Sequence, residues 1–250
     1  MGSDPLFADG VIVVDKPTGP TSHDVVAVMR RAVRGRKVGH TGTLDPLASG
    51  VLPLVLGKAT RLAQFLSSAE KEYEAEIEFG ICTTTLDRGG EVIERAGARD
   101  VAELTGAMID AAVATFRGTY LQKPPAYSAK KIDGDRAYDL ARKNAPVRLQ
   151  PVQVTASRLD VIEWQGSRLR VRLICSAGYY VRSLADALGE WLGTGAHLAG
   201  LVRTRSGDFT MDQAIGLEML DQRPAEAASR VLPLATLLPG LPAITLTAEG

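Results

Sequence analysis

The sequence of this 250-residue chain is organised around residues 39–61, GHTGTLDPLASGVLPLVLGKATR. The first half of this stretch is a polar loop with one carboxylate, Asp45, and the second half is an apolar run typical of a buried strand. Pro46 disfavours the α region for the residue before it, and Gly42 and Gly50 free the backbone on either side. The pattern predicts a turn that presents Asp45 outward. An isolated Asp-Pro pair would indicate a structural turn and nothing more.

Two common functional motifs do not fit this loop. A nucleotide-binding P-loop requires Gly-Lys followed by Ser or Thr, whereas residues 57–59 are Gly-Lys-Ala. A serine hydrolase could combine Ser49, His40 and Asp45, but its nucleophile elbow requires the pattern G-x-S-x-G, and residues 47–51 are LASGV. The loop therefore indicates a different chemistry for Asp45.

The loop resembles the signature loop of the pseudouridine synthases, in the TruB branch that modifies the T-loop of transfer RNA. Four further segments are similar to the same family and occur in the same order: KEYEAEIEFG at 71–80, QKPPAYSAKKIDGDRAYDLAR at 122–142, CSAGYYVRSLADALGEWLGTGAHL at 175–198 and LVRTRSGDF at 201–209. The resemblance implies an α+β fold, with a mixed, mainly antiparallel sheet, peripheral helices and a central catalytic cleft.

The resemblance also implies which residues form the site. Asp45 is the expected catalytic carboxylate, Arg182 the cation that holds it ionised, and Tyr73 the aromatic ring against the target base. The target base is stacked inside the T-loop and must be flipped out, and His40 resembles the family residue that fills the vacated space. Further substrate contacts are expected from Tyr180, Leu198, Lys130, Lys131, Arg203 and Arg205.

On the residues alone, some of these assignments have ordinary alternatives. Tyr73 alternates with glutamates along a strand pattern, where an aromatic residue usually packs in the core. An arginine such as Arg182 in the first turn of a helix opposes the helix dipole, which suggests another partner for its charge. At 201–209, family members often carry two adjacent arginines where this chain has Val202-Arg203, which puts one phosphate or core contact in question.

The implied reaction breaks the N1–C1′ bond of uridine, turns the free uracil and joins C5 to C1′. We expect no cofactor, because this rearrangement needs neither redox chemistry nor a group donor. Cys82 and Cys175 lack CxxC spacing, and His197 is a lone histidine without companion ligands, so no metal site is predicted. The sequence leaves open whether Asp45 attacks the sugar or the base, or takes a proton from the ribose.

The charge pattern predicts an RNA partner although the formal net charge is zero, with 29 basic and 29 acidic residues. A single basic run is usually solvated surface, but two runs beside the Asp45 stretch favour phosphate contacts from the T-arm stem-loop of transfer RNA. The first basic cluster comprises Arg30, Arg31, Arg34, Arg36 and Lys37, and the second comprises Lys123, Lys130, Lys131, Arg136, Arg142, Lys143 and Arg148.

Composition and length give the remaining expectations. No run of 18 apolar residues and no signal peptide is visible, so we expect a cytoplasmic chain without a membrane span, a monomer with no obligatory protein partner. We expect residues 1–238 to form the catalytic domain, with an RNA-gripping insertion at about 122–148. Residues 239–250 are expected to begin a C-terminal PUA-like domain that is missing or truncated.

Periodicity predicts several elements. A buried strand is expected at 11–14, and a helix after a capping box at Thr21 and Asp24. A second helix is expected over 59–66, and a third over 101–112. Further expectations are an alternating strand at 71–79, a hairpin over 151–175, a helix with Arg182 in its first turn, a short helical pattern at 137–141 and His197 in a loop.

Two alternative functions remain. The first is a guide-RNA-dependent pseudouridine synthase, which shares the loop but carries partner-binding terminal extensions not found in these residues. The second is a non-catalytic chaperone that refolds transfer RNA through its basic clusters. Substitution of Asp45 separates them, because only an enzyme would lose pseudouridine formation.

Overall fold

A computed structural model describes residues 6–94, 100–127, 131–132, 135–136 and 149–240 of the chain. Fifteen strands are found among these residues: β1 Gly10–Lys16, β2 Val38–His40, β3 Ala48–Leu56, β4 Lys71–Phe79, β5 Cys82–Thr83, β6 Val92–Glu94, β7 Gly118–Gln122, β8 Lys131–Ile132, β9 Asp135–Arg136, β10 Val152–Gln165, β11 Arg168–Cys175, β12 Ala196–Ser206, β13 Phe209–Thr210, β14 Ile215–Gly216 and β15 Leu232–Pro233.

The described helices surround these strands: α1 Ser22–Ala32, α2 Ala63–Ser67, α3 Gly106–Thr115, α4 Val181–Leu192, α5 Leu217–Gln222 and α6 Pro224–Ser229. Four short 3₁₀ segments lie at Gly57–Leu62, Val101–Glu103, Met211–Gln213 and Leu234–Thr236. None of the described helices is long and apolar enough to cross a membrane.

One large mixed sheet carries the fold, in the order β14-β1-β3-β12-β4-β11-β10-β7. Most neighbouring strands are antiparallel, while β1 with β14 and β3 with β12 are parallel. The parallel pair β3–β12 lies in the interior of the sheet and aligns Gly50 with Arg203. An α+β fold with a mixed, mainly antiparallel sheet is therefore confirmed.

The hydrophobic pattern of the strands explains their placement. In β4 every second side chain from Lys71 to Phe79 is buried, and Tyr73, Ala75, Ile77 and Phe79 belong to the main core. Helix α4 buries one face, including Leu184 and Leu188, against the same core. The predicted strand at 71–79, the hairpin over 151–175 and the helix carrying Arg182 are confirmed.

Helix α1 begins as the sequence predicts. Thr21 is its N-cap, and the Thr21 side chain and Asp24 form the reciprocal bonds of a capping box. The other two helix predictions need correction. Residues 57–62 form a 3₁₀ segment before the short helix α2, and the stretch 101–112 is interrupted, because Thr105 caps a new helix, α3.

Two smaller predictions also have an outcome. His197 lies in β12 and not in a loop, and its Nδ1 is 3.0 Å from the Ile81 carbonyl oxygen. The helical pattern at 137–141 lies outside the described residues.

Candidate active site

The loop from residue 39 to residue 50, called here the Asp45 loop, is held by hydrogen bonds to its backbone from several elements. Ser22 of α1 donates its hydroxyl to the Leu44 carbonyl (3.0 Å) and accepts from the Leu44 N–H (2.8 Å). The Gly19 N–H donates to the Pro46 carbonyl at 2.8 Å, and the Ala48 N–H to the Asp45 carbonyl at 3.0 Å. The loop is thereby fixed on both sides of the carboxylate.

Two buried cations complete this tethering. Lys16 donates its ammonium to the Ala48 carbonyl at 2.7 Å, and burial lowers its pKa to about 8. Arg203 donates Nε to the Val51 carbonyl (2.8 Å) and Nη2 to the Gly42 carbonyl (3.1 Å). Gly50 has φ +101°, and a Cβ there would lie 2.3 Å from the Arg203 carbonyl oxygen, so only glycine fits between β3 and β12.

Asp45 stands at the head of this loop beside Arg182. Nε of Arg182 is 3.0 Å from Oδ2 of Asp45, and the side chains are 9% and 37% exposed respectively. Burial raises the pKa of Asp45 above its ordinary value, while the positive charge of Arg182 acts to lower it. Arg182 therefore offsets part of the cost of keeping a carboxylate ionised in a partly desolvated position.

The remaining guanidinium nitrogens of Arg182 bind backbone carbonyls. Nη1 donates to Thr85 at 3.1 Å and Nη2 donates to Tyr127 at 2.9 Å. Arg182 therefore contacts Asp45 through one nitrogen and not through a planar two-point contact. One nitrogen faces the carboxylate and the other two fix the plane of the guanidinium.

A second carboxylate, Asp87, was missed by the sequence reasoning. Its Oδ2 lies 3.8 Å from Nε of Arg182, and its Oδ1 accepts from the Thr85 hydroxyl (2.7 Å) and the Gly89 N–H (2.9 Å). The loop that carries it is joined to β12 by bonds between Leu198 and the backbone of Leu86 and Arg88, both 3.0 Å. The negative charge of Asp87 raises the pKa of Asp45 further.

Two predicted aromatic residues lie near these charges. Tyr73 is buried on β4 in register with Arg203, and burial raises the pKa of its hydroxyl, which stays protonated at neutral pH. His40 ends β2, and its Nδ1 accepts from the Gly42 N–H at 3.3 Å. Burial and the nearby charge of Arg203 lower the pKa of His40, so this ring is neutral at pH 7.

The structure places the other predicted substrate contacts at different depths around the site. Arg203 is 1% exposed and donates to loop carbonyls, and its contact with substrate stays a prediction. Leu198 is buried in the main core and holds the Asp87 loop through its backbone. Arg205 is half-buried and pairs with Glu72 at 3.4 Å. Tyr180 is half-buried at the N-cap of α4, next to the site.

The basic insertion is described only in part. Lys131 lies in the short strand β8, which pairs with β9, and Lys130 lies outside the described residues. The predicted beginning of another domain at 239–250 also lies mostly outside them. Within the part of the chain that is described, no group of three or more His, Cys, Asp or Glu residues could hold a metal ion.

The first basic cluster lines a groove at the far end of β2 from His40. The groove has a volume of about 560 Å³ and is bordered by Arg30, Arg36, Lys37, Val38 and Thr60, among others. Arg36 is neutralised by Asp9. Five exposed cations around it form no ion pair with any described carboxylate: Arg30, Arg34, Lys37, Lys58 and Arg61.

Comparison with known proteins agrees with this geometry. Residues 30–181 match the model of the TruB family pseudouridylate synthase N-terminal domain, and residues 182–239 match that of the tRNA pseudouridylate synthase B C-terminal domain. The boundary between the two matches falls directly before Arg182, inside α4. The sheet contains strands from both matched regions, and the contact between Asp45 and Arg182 joins the two regions.

Curated relatives named tRNA pseudouridine synthase B are similar over most of their length. The protein from Solibacter usitatus is 49% identical over 94% of this chain and 80% of its own, and that from Symbiobacterium thermophilum is 46% identical over 97% and 80%. The protein from Opitutus terrae is 42% identical over 93% and 96%.

Solved structures give the same fold. The crystal structure of a Cbf5-Nop10-Gar1 complex contains a chain that is 33% identical, with a TM-score of 0.67 over 90% of this chain and 60% of that chain. This chain thus covers slightly less than two thirds of that chain, whereas it covers 80–96% of the three curated relatives. From the two matched family models and these relatives we conclude that the chain belongs to the TruB family of pseudouridylate synthases.

Proposed function

We propose that this chain isomerises uridine 55 in the T-loop of transfer RNA to pseudouridine. The observation that carries the proposal is the Asp45 carboxylate, held on a tethered loop 3.0 Å from Nε of the buried Arg182, in a chain of this family. The curated relatives at 42–49% identity are all named for transfer RNA, which supports that substrate.

The chemistry needs a carboxylate that is ionised, fixed and open to the substrate. In the isomerisation the N1–C1′ bond breaks, the C5–C1′ bond forms, C5 loses its proton and N1 gains one, so atoms and electrons balance within the nucleotide. Asp45 is the nucleophile or base that acts while the glycosidic bond breaks. The tethered loop and the fixed guanidinium of Arg182 hold that carboxylate in place before substrate arrives, which lowers the cost of reaching the transition state.

The neighbouring residues suit a flipped base. Tyr73 supplies a buried aromatic wall with a protonated hydroxyl, and the neutral ring of His40 suits insertion into a base stack better than a charged ring would, because a charge would have to be desolvated there. Tyr180 lies two residues before Arg182, and Asp87 lies 3.8 Å from Nε of Arg182. We assign to His40 the space-filling role, to Tyr73 contact with the target uracil and to Tyr180 a wall of the pocket.

RNA affinity in this proposal comes from the unpaired cations of the groove. Lys37, Lys58 and Arg61 lie near the start of the Asp45 loop, where a T-arm entering the cleft would pass with its phosphates. Lys130 and Lys131 of the insertion would grip the same RNA. Counterion release from such contacts gives affinity to a chain whose net charge is zero.

We further propose that the chain acts in the cytoplasm as a monomer without an obligatory protein partner. Turnover by the purified chain alone, with a monomer mass in sedimentation at the assay concentration, would support this. A requirement for added protein or guide RNA would contradict it and favour the guide-dependent class.

The direct test measures pseudouridine formation on a T-arm stem-loop. The unaltered chain should convert position 55, and a stem-loop with cytidine there should give no product. Asp45→Asn keeps the shape and removes the charge, so turnover should be lost while RNA affinity changes less than about tenfold, ~1.4 kcal/mol. Asp208→Asn is the matched control, because Asp208 is exposed and forms no ion pair with a described residue.

The chaperone alternative predicts a different result from the same variants. A folding chaperone would refold transfer RNA equally well with Asp45→Asn, and its unaltered form would make no pseudouridine. Retained turnover in Asp45→Asn would contradict the proposed role of Asp45 outright.

A further inference from the structure

The segment that leaves β7 runs along the first turn of α4 and is bonded to it at several points. The Ser183 hydroxyl donates to the Lys123 carbonyl at 2.7 Å, and Nη2 of Arg182 donates to the Tyr127 carbonyl at 2.9 Å. The hydroxyls of Tyr120 and Tyr179 are 2.7 Å apart. Residues 120–127 therefore pack against the N-terminal end of α4, which carries Arg182.

Gln122 makes the most specific of these contacts. Its Oε1 accepts from the Tyr180 N–H at 2.8 Å and its Nε2 donates to the Tyr180 carbonyl at 3.0 Å, and the residue is 4% exposed. The side-chain amide thus binds both backbone groups of one residue, as a neighbouring strand would. An amide of this length offers an acceptor and a donor together at any pH, whereas a carboxyl does so only when it is protonated.

Tyr180 is the N-cap of α4, and its side chain forms no capping hydrogen bond with the helix backbone. Its backbone is extended, with φ −108° and ψ 107°, and Arg182 follows two residues later. The direction in which α4 begins, and so the position from which Arg182 reaches Asp45, depends on how this residue is held. The Gln122 side chain holds Tyr180 through its backbone N–H and its backbone carbonyl.

We propose that Gln122 is a positioning residue for the isomerisation, which fixes the backbone of Tyr180 and thereby aims the guanidinium of Arg182 at Asp45. The inference rests on the proposed function, because it needs a rate to measure. No hydrogen bond joins Gln122 to Asp45, so its effect on that carboxylate acts through the backbone of Tyr180 and through Arg182.

The first experiment compares Gln122→Met with Gln153→Met. Gln153 is exposed on β10 opposite Leu121, so the control makes the same change one position along the same strand pair. Gln122→Met keeps the length and removes both bonds to Tyr180, together with the longer bond from Nε2 to the Tyr120 hydroxyl (3.4 Å). We expect its single-turnover rate at saturating T-arm RNA to fall by on the order of 10- to 100-fold, as for misplaced catalytic groups, with RNA affinity within about threefold. Gln153→Met should match the unaltered chain.

The second experiment uses Gln122→Glu, whose protonated carboxyl has the same acceptor and donor as the amide. When ionised, it places a negative charge against the Tyr180 carbonyl. The ratio of its rate to that of the unaltered chain should therefore rise about tenfold or more as pH falls from about 8 to about 5.5, since a buried carboxyl is protonated in this range. Taking the ratio at each pH removes the part of the Asp45 titration that both proteins share.

Other titratable groups near the contact between Gln122 and Tyr180 lie on β7, on α4 and on the segments next to them. Tyr120 on β7 and Tyr179 before α4 have hydroxyl pKa values raised by burial, so both stay neutral in the assay range. Lys123 follows Gln122, and Asp186 on α4 has its pKa raised by burial with Lys123 opposing. These groups and Arg182 are present in both proteins and cancel in the ratio.

The outcomes separate the possible explanations. If the unaltered chain makes no pseudouridine, the proposed function fails before Gln122 is tested. If it does and Gln122→Met equals Gln153→Met, the positioning role is overturned. If Gln122→Met is too unstable to assay, rates per native molecule of Gln122→Glu decide: acid rescue supports the role, because a merely structural residue would change the melting temperature and leave the ratio flat, and a flat ratio overturns it.

Discussion

Arginine–carboxylate pairs occur in two regions of this molecule, with similar distances and different surroundings. On the outer face of the sheet, arginines of β11 alternate with glutamates of β4 in a ladder, with contacts of 3.0 Å for Arg168–Glu76 and 2.9 Å for Arg172–Glu74. In the cleft, Arg182 is 3.0 Å from Asp45. Distance alone does not distinguish the two regions.

Burial and the number of fixed partners distinguish the two regions. The ladder arginines are 43–62% exposed, whereas Arg182 is 9% exposed and is bound by two carbonyls besides its carboxylates. An exposed pair gains little, because water screens it and both side chains lose freedom. A buried cation that loses its geometry leaves carboxylates without compensation. The comparison therefore predicts large effects in the cleft and small ones on the ladder.

The largest expected effect is that of Arg182→Lys. An ammonium cannot contact Asp45, the Thr85 carbonyl and the Tyr127 carbonyl in the present geometry, because only the planar guanidinium spans all three. We expect the single-turnover rate at saturating RNA to fall by on the order of 100-fold, independent of salt.

The ladder offers the control for this prediction. Arg168→Lys keeps a charge beside Glu76 at an exposed position, and its rate should equal that of the unaltered chain. Near-normal chemistry in Arg182→Lys would show that the cleft needs only a positive charge. A loss confined to affinity that shrinks at low salt would instead make Arg182 a phosphate contact.

Both regions show what the sequence could predict. The ladder strands alternate apolar and charged residues, so the period of two predicted which side chains are buried and which face solvent. The turn at Asp45 and the helix that begins near Arg182 followed from local patterns, because each depends on residues a few positions apart. The roles of the two residues in the site were implied by the family resemblance.

Asp87, Gln122 and the role of Arg203 could not be predicted in the same way. Asp87 sits in a stretch read only as a loop, and it reaches Arg182 because Leu198 of β12 bonds the backbone on either side of it. Arg203 was expected to contact substrate, but the parallel pairing of β3 with β12 buries it beside loop carbonyls. Such contacts depend on strand order, which no local pattern contains. The Thr85-x-Asp87-x-Gly89 spacing is a local signal that could have indicated a fixed carboxylate.

The next effect in size concerns Asp87→Asn. We expect roughly a tenfold lower rate at high pH, because Arg182 loses one of the groups that fix it. The acid limb of the pH–rate profile should also shift. Burial and the charge of Asp87 raise the pKa of Asp45, and the reaction needs Asp45 ionised, so the rate falls as pH falls through that raised value. Without the charge of Asp87 the pKa of Asp45 decreases, and the limb should shift to lower pH.

Single-turnover rates across pH test this shift, with Glu74→Gln on the ladder as the control that removes a carboxylate pairing with Arg172. The control should leave the limb in place. A limb that stays or moves upward in Asp87→Asn would mean that Asp87 does not act on Asp45 through its charge.

A smaller effect is expected where cations have no partner. Arg34→Ala with Lys37→Ala should weaken RNA binding by roughly fivefold at moderate salt, and should reduce the slope of log affinity against log salt by about 0.7–0.9 for each phosphate that the chain no longer neutralises. Arg168→Ala with Arg170→Ala makes the same charge change where glutamates already neutralise the arginines, and it should alter neither quantity. Equal effects would mean that net charge, and not the groove, attracts the RNA.

The smallest effect is the coupling within the ladder, and it tests whether burial outweighs distance. A double-mutant cycle on Arg168 and Glu76, measured by urea unfolding, should give less than about 1 kcal/mol, and the value should fall with added salt. The same cycle on Arg182 and Asp87 should give about 1–3 kcal/mol with little salt dependence, although those atoms are 3.8 Å apart and the ladder pair is 3.0 Å apart. Side chains that are 9% and 12% exposed are shielded from the ions that screen the ladder. If the two couplings instead follow distance, with the ladder pair the stronger, burial is not what separates the two regions, and the cleft arginine would need another explanation for its large expected effect on rate.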